Sequence, residues 1–260
     1  GFAWDFLINH LQLDKKRLYI SVHISDDESK KIWTDKIGID EKKVLVLGDE
    51  DNFWQMGDTG PCGPCTEIYY DLGNQYDGVL PSLGDPKDRY IEIWNLVFTQ
   101  YNKTESGLLE ELPQKCVDTG MGLERVQAIV EGLSDNYESS LFTKLSNFID
   151  ERVKLNKKNI YVKKILLDHI RACCHLISDN VIPDREGRGY VLRRILRRSS
   201  RFIYKYNIKE PFLFKCAEVV CKGSTDFPNL KKDVTKIIDI IKTEEIKYLK
   251  TLGKGMEIID

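Results

Sequence analysis

The sequence predicts an α+β fold followed by an all-helical region. Aromatic and β-branched runs at 18–24, 44–47, 68–70 and 90–101 read as sheet strands. Helical patterns fall between them without regular βαβ spacing, which favours an antiparallel sheet with flanking helices. From about Tyr137 onward almost every segment has helical period. That change of character places a boundary near 135, with a mixed part over 1–135 and a helical part over 136–260.

Residues 2–11 read as a helix, with Phe2, Phe6, Leu7 and His10 near helical spacing. Leu18 to Ile24 alternates as a strand. Ser25-Asp26-Asp27-Glu28 then supplies an N-cap and first-turn acids for a helix ending near Gly38. Val44 to Leu47 is a short buried strand, and Leu123 to Val130 opens a helix. Over 161–178, Val162, Ile165, Leu166, His169, Ile170, Cys173, Leu176 and Ile177 follow helical spacing. Leu192, Ile195, Leu196, Phe202 and Ile203 stripe a helix over 190–204. Val234, Ile237, Ile238, Ile241 and Leu249 stripe another over 230–251.

Composition narrows the class. With 42% hydrophobic and 31% charged residues in 260, the chain is an ordinary globular sequence and not a disordered one. No run reaches the ~18 apolar residues of a membrane span, so no membrane association is expected. Gly1-Phe2-Ala3-Trp4-Asp5 lacks the pattern of a secretory signal. Seven cysteines, an odd number, point to a reduced, cytoplasmic setting. Net charge is only −2, but Arg185 to Lys205 carries eight basic residues against the single acid Glu186. One phosphate-bearing surface would explain such a stripe.

Four segments can carry chemistry. In Asp118-Thr119-Gly120-Met121-Gly122-Leu123-Glu124-Arg125, an acid ends a strand, a Gly-x-Gly turn follows, and Glu-Arg enters a helix. The glycines admit a flat ring or a phosphate to the backbone, Arg125 can grip phosphate bidentately, and Asp118 can hold an ammonium. Gly-x-Gly by itself is more often a plain turn, and this one is neither a P-loop nor a dinucleotide fingerprint.

The second segment is Cys62-Gly63-Pro64-Cys65. As a redox dithiol it would need a helix N-terminus, yet the strand-like Ile68-Tyr69-Tyr70 follows. No second Cys-x-x-Cys completes a zinc set. A rigid Gly/Pro loop lining a pocket is the better reading. The third is the strand Glu92 to Val97, with Glu92 a possible Mg²⁺ ligand and Asn95 a side-chain amide. Simple alternation puts Ile91, Ile93, Asn95 and Val97 on one face, and Glu92, Trp94 and Leu96 on the other. The fourth is the glycine-broken loop at Gly187-Arg188-Gly189 feeding a helix with Arg193, Arg194, Arg197 and Arg198 on one face, able to span successive phosphates. His169, on an apolar helix face, reads as a hydrogen-bonded core histidine.

Taken together, these segments resemble the alanyl-tRNA synthetases, a family of class II aminoacyl-tRNA synthetases. The match runs in unbroken order through Asp51 to Trp54, Gly57 to Ile68, Glu92 to Phe98, Val117 to Arg125, Asp168 to Arg171 and Gly187 to Arg198. The resemblance implies a class II sheet with flanking helices, the C-terminal part of the aminoacylation domain, then a helical tRNA-recognition domain. Val117 to Arg125 would be motif 3. Arg125 would hold the ATP phosphates and Gly122 would lie under the nucleotide, while Trp54, Ile93, Trp94 and Asn95 would line the ATP and adenylate pocket. Asp118 and Asn95 would bind L-alanine, walled by Val97 and Gly120. Arg185, Arg188, Arg193, Arg194, Arg197 and Arg198 would grip the acceptor stem of tRNA(Ala). ATP and Mg²⁺ are implied, and zinc only in an editing domain outside this chain, needed because one methylene discriminates by only about 1–3 kcal/mol.

Two departures stand out. Motif 1 and the phosphate-binding arginine of motif 2 are not in the sequence, so the chain is expected to be a portion that does not form alanyl-adenylate unaided. Arg185 stands where many family members have Asn, in the loop associated with the acceptor-stem G·U pair. A non-catalytic RNA-binding relative is the alternative function, and a thiol redox protein a third.

Overall fold

The computed structural model describes residues 1–259, which divide into two compact units, Gly1–Asn136 and Tyr137 onward. The first unit is built on a six-stranded sheet of β1 (Leu18–His23), β2 (Val44–Leu47), β3 (Phe53–Gln55), β4 (Gly60–Asp71), β5 (Tyr90–Lys103) and β6 (Leu109–Met121). Its order is β2-β1-β4-β5-β6, with β3 paired to β4. Every pair is antiparallel except β1 with β2, which is parallel, so the sheet is mixed. The crossover between β1 and β2, through a helix at 27–36, is long enough to return the chain in the same direction.

One face of the sheet is packed with helix. α1 (Phe2–Asp5) runs on as a wider turn to His10, and α2 (Asp27–Lys31) likewise continues to Lys36. Asp26 caps α2 by accepting from Ser29 N at 2.9 Å. Gly38 follows at φ +80°, a left-handed position that ends the segment at little steric cost. α3 (Asp49–Asn52) precedes β3, and α4 (Leu123–Val130) follows β6. Leu7, Trp33, Val126 and Ile129 pack against Leu18, Ile20, Ile68 and Ile93 from the strands. Trp33 Nε1 donates to Thr66 Oγ1 at 3.0 Å, which satisfies a buried indole.

Two local features depart from simple alternation. Cys62-Gly63-Pro64-Cys65 lies inside β4 and not in a loop, with a register shift between Cys62 and Cys65. Irregular pairing of this kind is where prolines are tolerated in a sheet. In β5, Ile68 pairs with Trp94 and Tyr69 with Glu92, so Ile93 is an extra residue and forms a β-bulge. Ile93 and Trp94 therefore both turn toward the helix-packed face, and Glu92 joins Asn95 and Val97 on the other.

The second unit is helical: α5 (Thr143–Asp150), α6 (Ile160–Ser178), α7 (Gly187–Tyr204), α8 (Leu213–Gly223), α9 (Pro228–Lys232) and α10 (Val234–Ile259). Leu166, Ile170, Ile177, Leu192, Leu196, Leu213, Ile237 and Ile241 form its core. Gly189 in the first turn of α7 has no room for a side chain, since a Cβ would meet Ile182 O at 2.3 Å. At the start of α8 the buried Glu245 carboxylate accepts from Phe212 N at 2.8 Å and from Leu213 N at 3.0 Å. Burial pushes its pKa up against these backbone bonds. Glu245→Ala strands both N–H groups and should cost about 1–3 kcal/mol, read as a lower unfolding midpoint by calorimetry.

Candidate active site

The second face of the sheet gathers the polar residues. In the β5–β6 ladder Asn95 pairs with Gly120 and Val97 with Asp118. Directly opposed residues two apart share a face, so these four form one patch. Across β4 the patch extends through Cys65, opposite Val97, and Glu67, opposite Asn95. Asp118 is exposed and enters no ion pair or side-chain hydrogen bond among the described residues. Val97 is buried, and a Cβ built on Gly120 would meet nothing within 4 Å, so open space lies over the glycine.

Arg125 reaches the same side from α4. Its Nη1 donates to the Glu92 carbonyl at 2.7 Å and approaches Glu92 Oε2 at 3.4 Å. The bulge at Ile93 is what brings Glu92 here. Gly122 fixes the turn: its N–H donates to Ile93 O at 3.1 Å, and a Cβ would press on Arg125 Cδ at 3.1 Å. Trp54 on β3 pairs with Gly63 and is 37% exposed. The side chains of Ile93 and Trp94 do not join the patch. Ile93 is in the core, and Trp94 donates to Thr119 Oγ1 and meets Phe6 edge-on at 5.9 Å.

Glu67 and Tyr69 belong to this face and were missed from the sequence alone. Glu67 is 7% exposed; its Oε1 accepts from Asn95 Nδ2 at 3.0 Å and its Oε2 from Tyr69 OH at 2.5 Å. Burial raises the Glu67 pKa to about 7, opposed by the Tyr69 hydrogen bond. An acid within the otherwise uncharged run Cys65-Thr66-Glu67-Ile68-Tyr69-Tyr70 was the available signal. The thiols of Cys65, next to it on this face, and of Cys62, farther along β4, are set against redox work. Burial raises the Cys62 pKa, and raises that of Cys65 to about 11, whereas a reactive dithiol needs a lowered one.

In the helical unit the arginines divide. Arg193 and Arg197 turn their Nε toward Glu244 Oε1 at 3.2 and 2.7 Å, an acid on α10 that is itself buried. Arg194, Arg198 and Arg201 join them, with His169 and Tyr190, around an open depression. Arg185 and Arg188 lie outside it. His169 Nδ1 pairs with Asp168 Oδ2 at 2.8 Å, and its Nε2 is buried with no partner among the described residues. Metal sites are not evident: among the described residues no three His, Cys, Asp or Glu side chains cluster to hold an ion. No helix among them is long and apolar enough to cross a membrane.

Comparison with known proteins agrees with the motifs. The family model described as tRNA synthetases class II (A) matches residues 1–260. An alanine–tRNA ligase from Nitrosospira multiformis is 44% identical over 263 aligned residues, covering 100% of this chain and 30% of that protein. Alanine–tRNA ligases from Chromohalobacter salexigens and Cupriavidus necator are 45% and 43% identical, over 99% and 100% of the chain and 30% and 31% of those proteins. The chain thus spans about 30% of the length of the curated relatives it matches. On the match along its whole length, the chain belongs to the class II (A) tRNA synthetases.

Proposed function

We propose that this chain carries the alanine-and-ATP end of an alanine–tRNA ligase site in its first unit and an RNA-contacting surface in its second. The observation that carries the reading is the paired register Asn95–Gly120 and Val97–Asp118, which sets a carboxylate, an amide and a small-walled space side by side. An α-ammonium would sit against Asp118 and Asn95, and its methyl group would lie over Gly120 against Val97. Arg125 would take the phosphates and Trp54 would line the nucleotide side.

The reaction is attack of an alanine carboxylate oxygen on the α-phosphorus of ATP. The new O–P bond replaces the bond to pyrophosphate, which leaves, and the alanyl group then passes to a terminal hydroxyl of tRNA. Chemistry of this kind asks the protein chiefly to position charges. Mg²⁺ fits here only as an ion brought on ATP, since Glu92 is one carboxylate and magnesium takes most of its ligands from phosphate and water. Bound so, it would neutralise phosphate charge. In the helical unit, Arg194 and Arg198, which have no carboxylate partner among the described residues, are better placed for phosphates than Arg193 and Arg197, which Glu244 holds.

The test is alanine-dependent ATP–pyrophosphate exchange by the complete gene product. Asp118→Asn keeps the shape but loses the charge facing the ammonium. A charged hydrogen bond is worth about 1.5–3 kcal/mol, so kcat/KM for alanine should fall roughly 10- to 150-fold with KM for ATP little changed. Absence of exchange in the unmutated protein, with RNA binding retained, would leave the non-catalytic relative as the better reading.

A further inference from the structure

Glu67 has no place in the reaction as just described, yet it is the best-connected acid on this face. A buried carboxylate is costly to keep in a strand, and an uncharged side chain of the same size would avoid that cost. Its two oxygens serve different partners, Oε1 taking Asn95 Nδ2 and Oε2 taking Tyr69 OH. Its own backbone N–H donates to Ser21 Oγ at 3.2 Å, and Ser21 Oγ also accepts from Asn52 Nδ2 at 2.9 Å. The Glu67 backbone is thereby tied to β1 and, through Ser21, to α3, while its carboxylate bridges β4 and β5. Asn95 lies directly opposite it in the β4–β5 ladder.

Both Glu67 oxygens accept in this arrangement, and in its ionised form, favoured above about pH 7, the carboxylate only accepts and so faces the NH₂ end of the Asn95 amide. That leaves Asn95 Oδ1 as the outstanding group, and it is a buried acceptor with no partner among the described residues. An amino acid's ammonium brings three donors and no acceptor. We propose that Glu67 is the positioning residue of the amino-acid pocket, holding the Asn95 amide with its carbonyl oxygen reserved for the substrate ammonium. Glu67 acts through Asn95 and does not touch substrate. The proposal rests on the reading of this face as the alanine site.

The experiment measures KM for alanine, KM for ATP and kcat in pyrophosphate exchange, with melting temperatures, for the complete gene product and its Glu67→Gln, Asn95→Ala and doubly substituted variants. Glutamine can offer Asn95 either a donor or an acceptor, so it keeps a hydrogen bond but no longer selects one orientation. Glu67→Gln should raise KM for alanine about tenfold and leave KM for ATP within about twofold. Placed on Asn95→Ala, the same change should add less than about twofold, because the group it positions is gone. Equal effects on both substrates, or a full additional effect in the Asn95→Ala background, would overturn the positioning role while leaving the alanine reading intact. No exchange with alanine in the unmutated protein would overturn both.

Discussion

Replacing Arg125 with alanine is expected to lower kcat for pyrophosphate exchange about 10²- to 10³-fold, the usual loss when one preorganised donor to transition-state charge is removed. Nη1 is committed to Glu92, through its carbonyl at 2.7 Å and its carboxylate at 3.4 Å. Nε and Nη2 have no partner among the described residues, and the Arg125 side chain is 46% exposed. One edge of the fork is therefore fixed by β5, which leaves the other for the phosphate oxygens proposed above. Lysine cannot do both, because an ammonium is a point charge on a flexible stem. Arg125→Lys should recover less than about a tenth of the lost rate, and the deficit should appear in kcat more than in KM for alanine. A lysine variant with near-normal kcat would mean that charge alone, and not the anchored fork, is what the site needs.

The loss should not be traced to unfolding. The Glu92 contact is partly solvent-exposed, and pairs of that kind contribute about 1 kcal/mol or less. Melting temperatures of the Arg125 variants should stay within a few degrees of the unmutated protein.

Most of the scaffold could be read from the residues because period and punctuation agreed. Leu18–His23 alternates and is a strand; Asp26 precedes a first-turn pair of acids and caps a helix; Gly38 ends it in a left-handed conformation. The antiparallel expectation missed the β1–β2 pair, because the direction of a short buried strand is set by the crossover and not by its own pattern. The chemistry-bearing face was harder. Period-2 counting put Glu92 opposite Asn95, and only the extra residue at Ile93 reverses that. A bulge leaves no mark in an apolar run, since Ile93 and Trp94 are both suited to the core they enter. Pro61 and Pro64, flanking and within Cys62-Gly63-Pro64-Cys65, argued for a loop, yet an irregular ladder accommodates them within β4. Long-range partners were invisible for a different reason. Arg193 and Arg197 look unpaired in their own helix, and Glu244 that holds them lies about fifty residues away on α10.

Gly63 and Gly120 should separate what the sheet needs for folding from what the site needs for binding. A Cβ at Gly63 would stand 2.0 Å from Phe98 O, 3.0 Å from Phe98 C and 3.1 Å from Gln100 N. These are backbone atoms of β5, which cannot swing aside as a side chain could. Gly63→Ala must part β4 from β5 or push β3 away, since Trp54 pairs with Gly63 on the other side. Overpacking costs about 1–3 kcal/mol, and a clash with a rigid strand belongs at the upper end, a fall of roughly 10 °C in melting temperature. At Gly120 a Cβ meets nothing within 4 Å and the backbone is not left-handed, so Gly120→Ala should leave the melting temperature within about 2 °C. That methyl would instead occupy the space assigned to the alanine side chain, and alanine-dependent exchange should be lost. Calorimetry and exchange on the two variants should thus give opposite patterns, with Gly63→Ala chiefly unstable and Gly120→Ala folded but inactive. If Gly120→Ala kept normal activity with alanine, the pocket would have to lie elsewhere on this face.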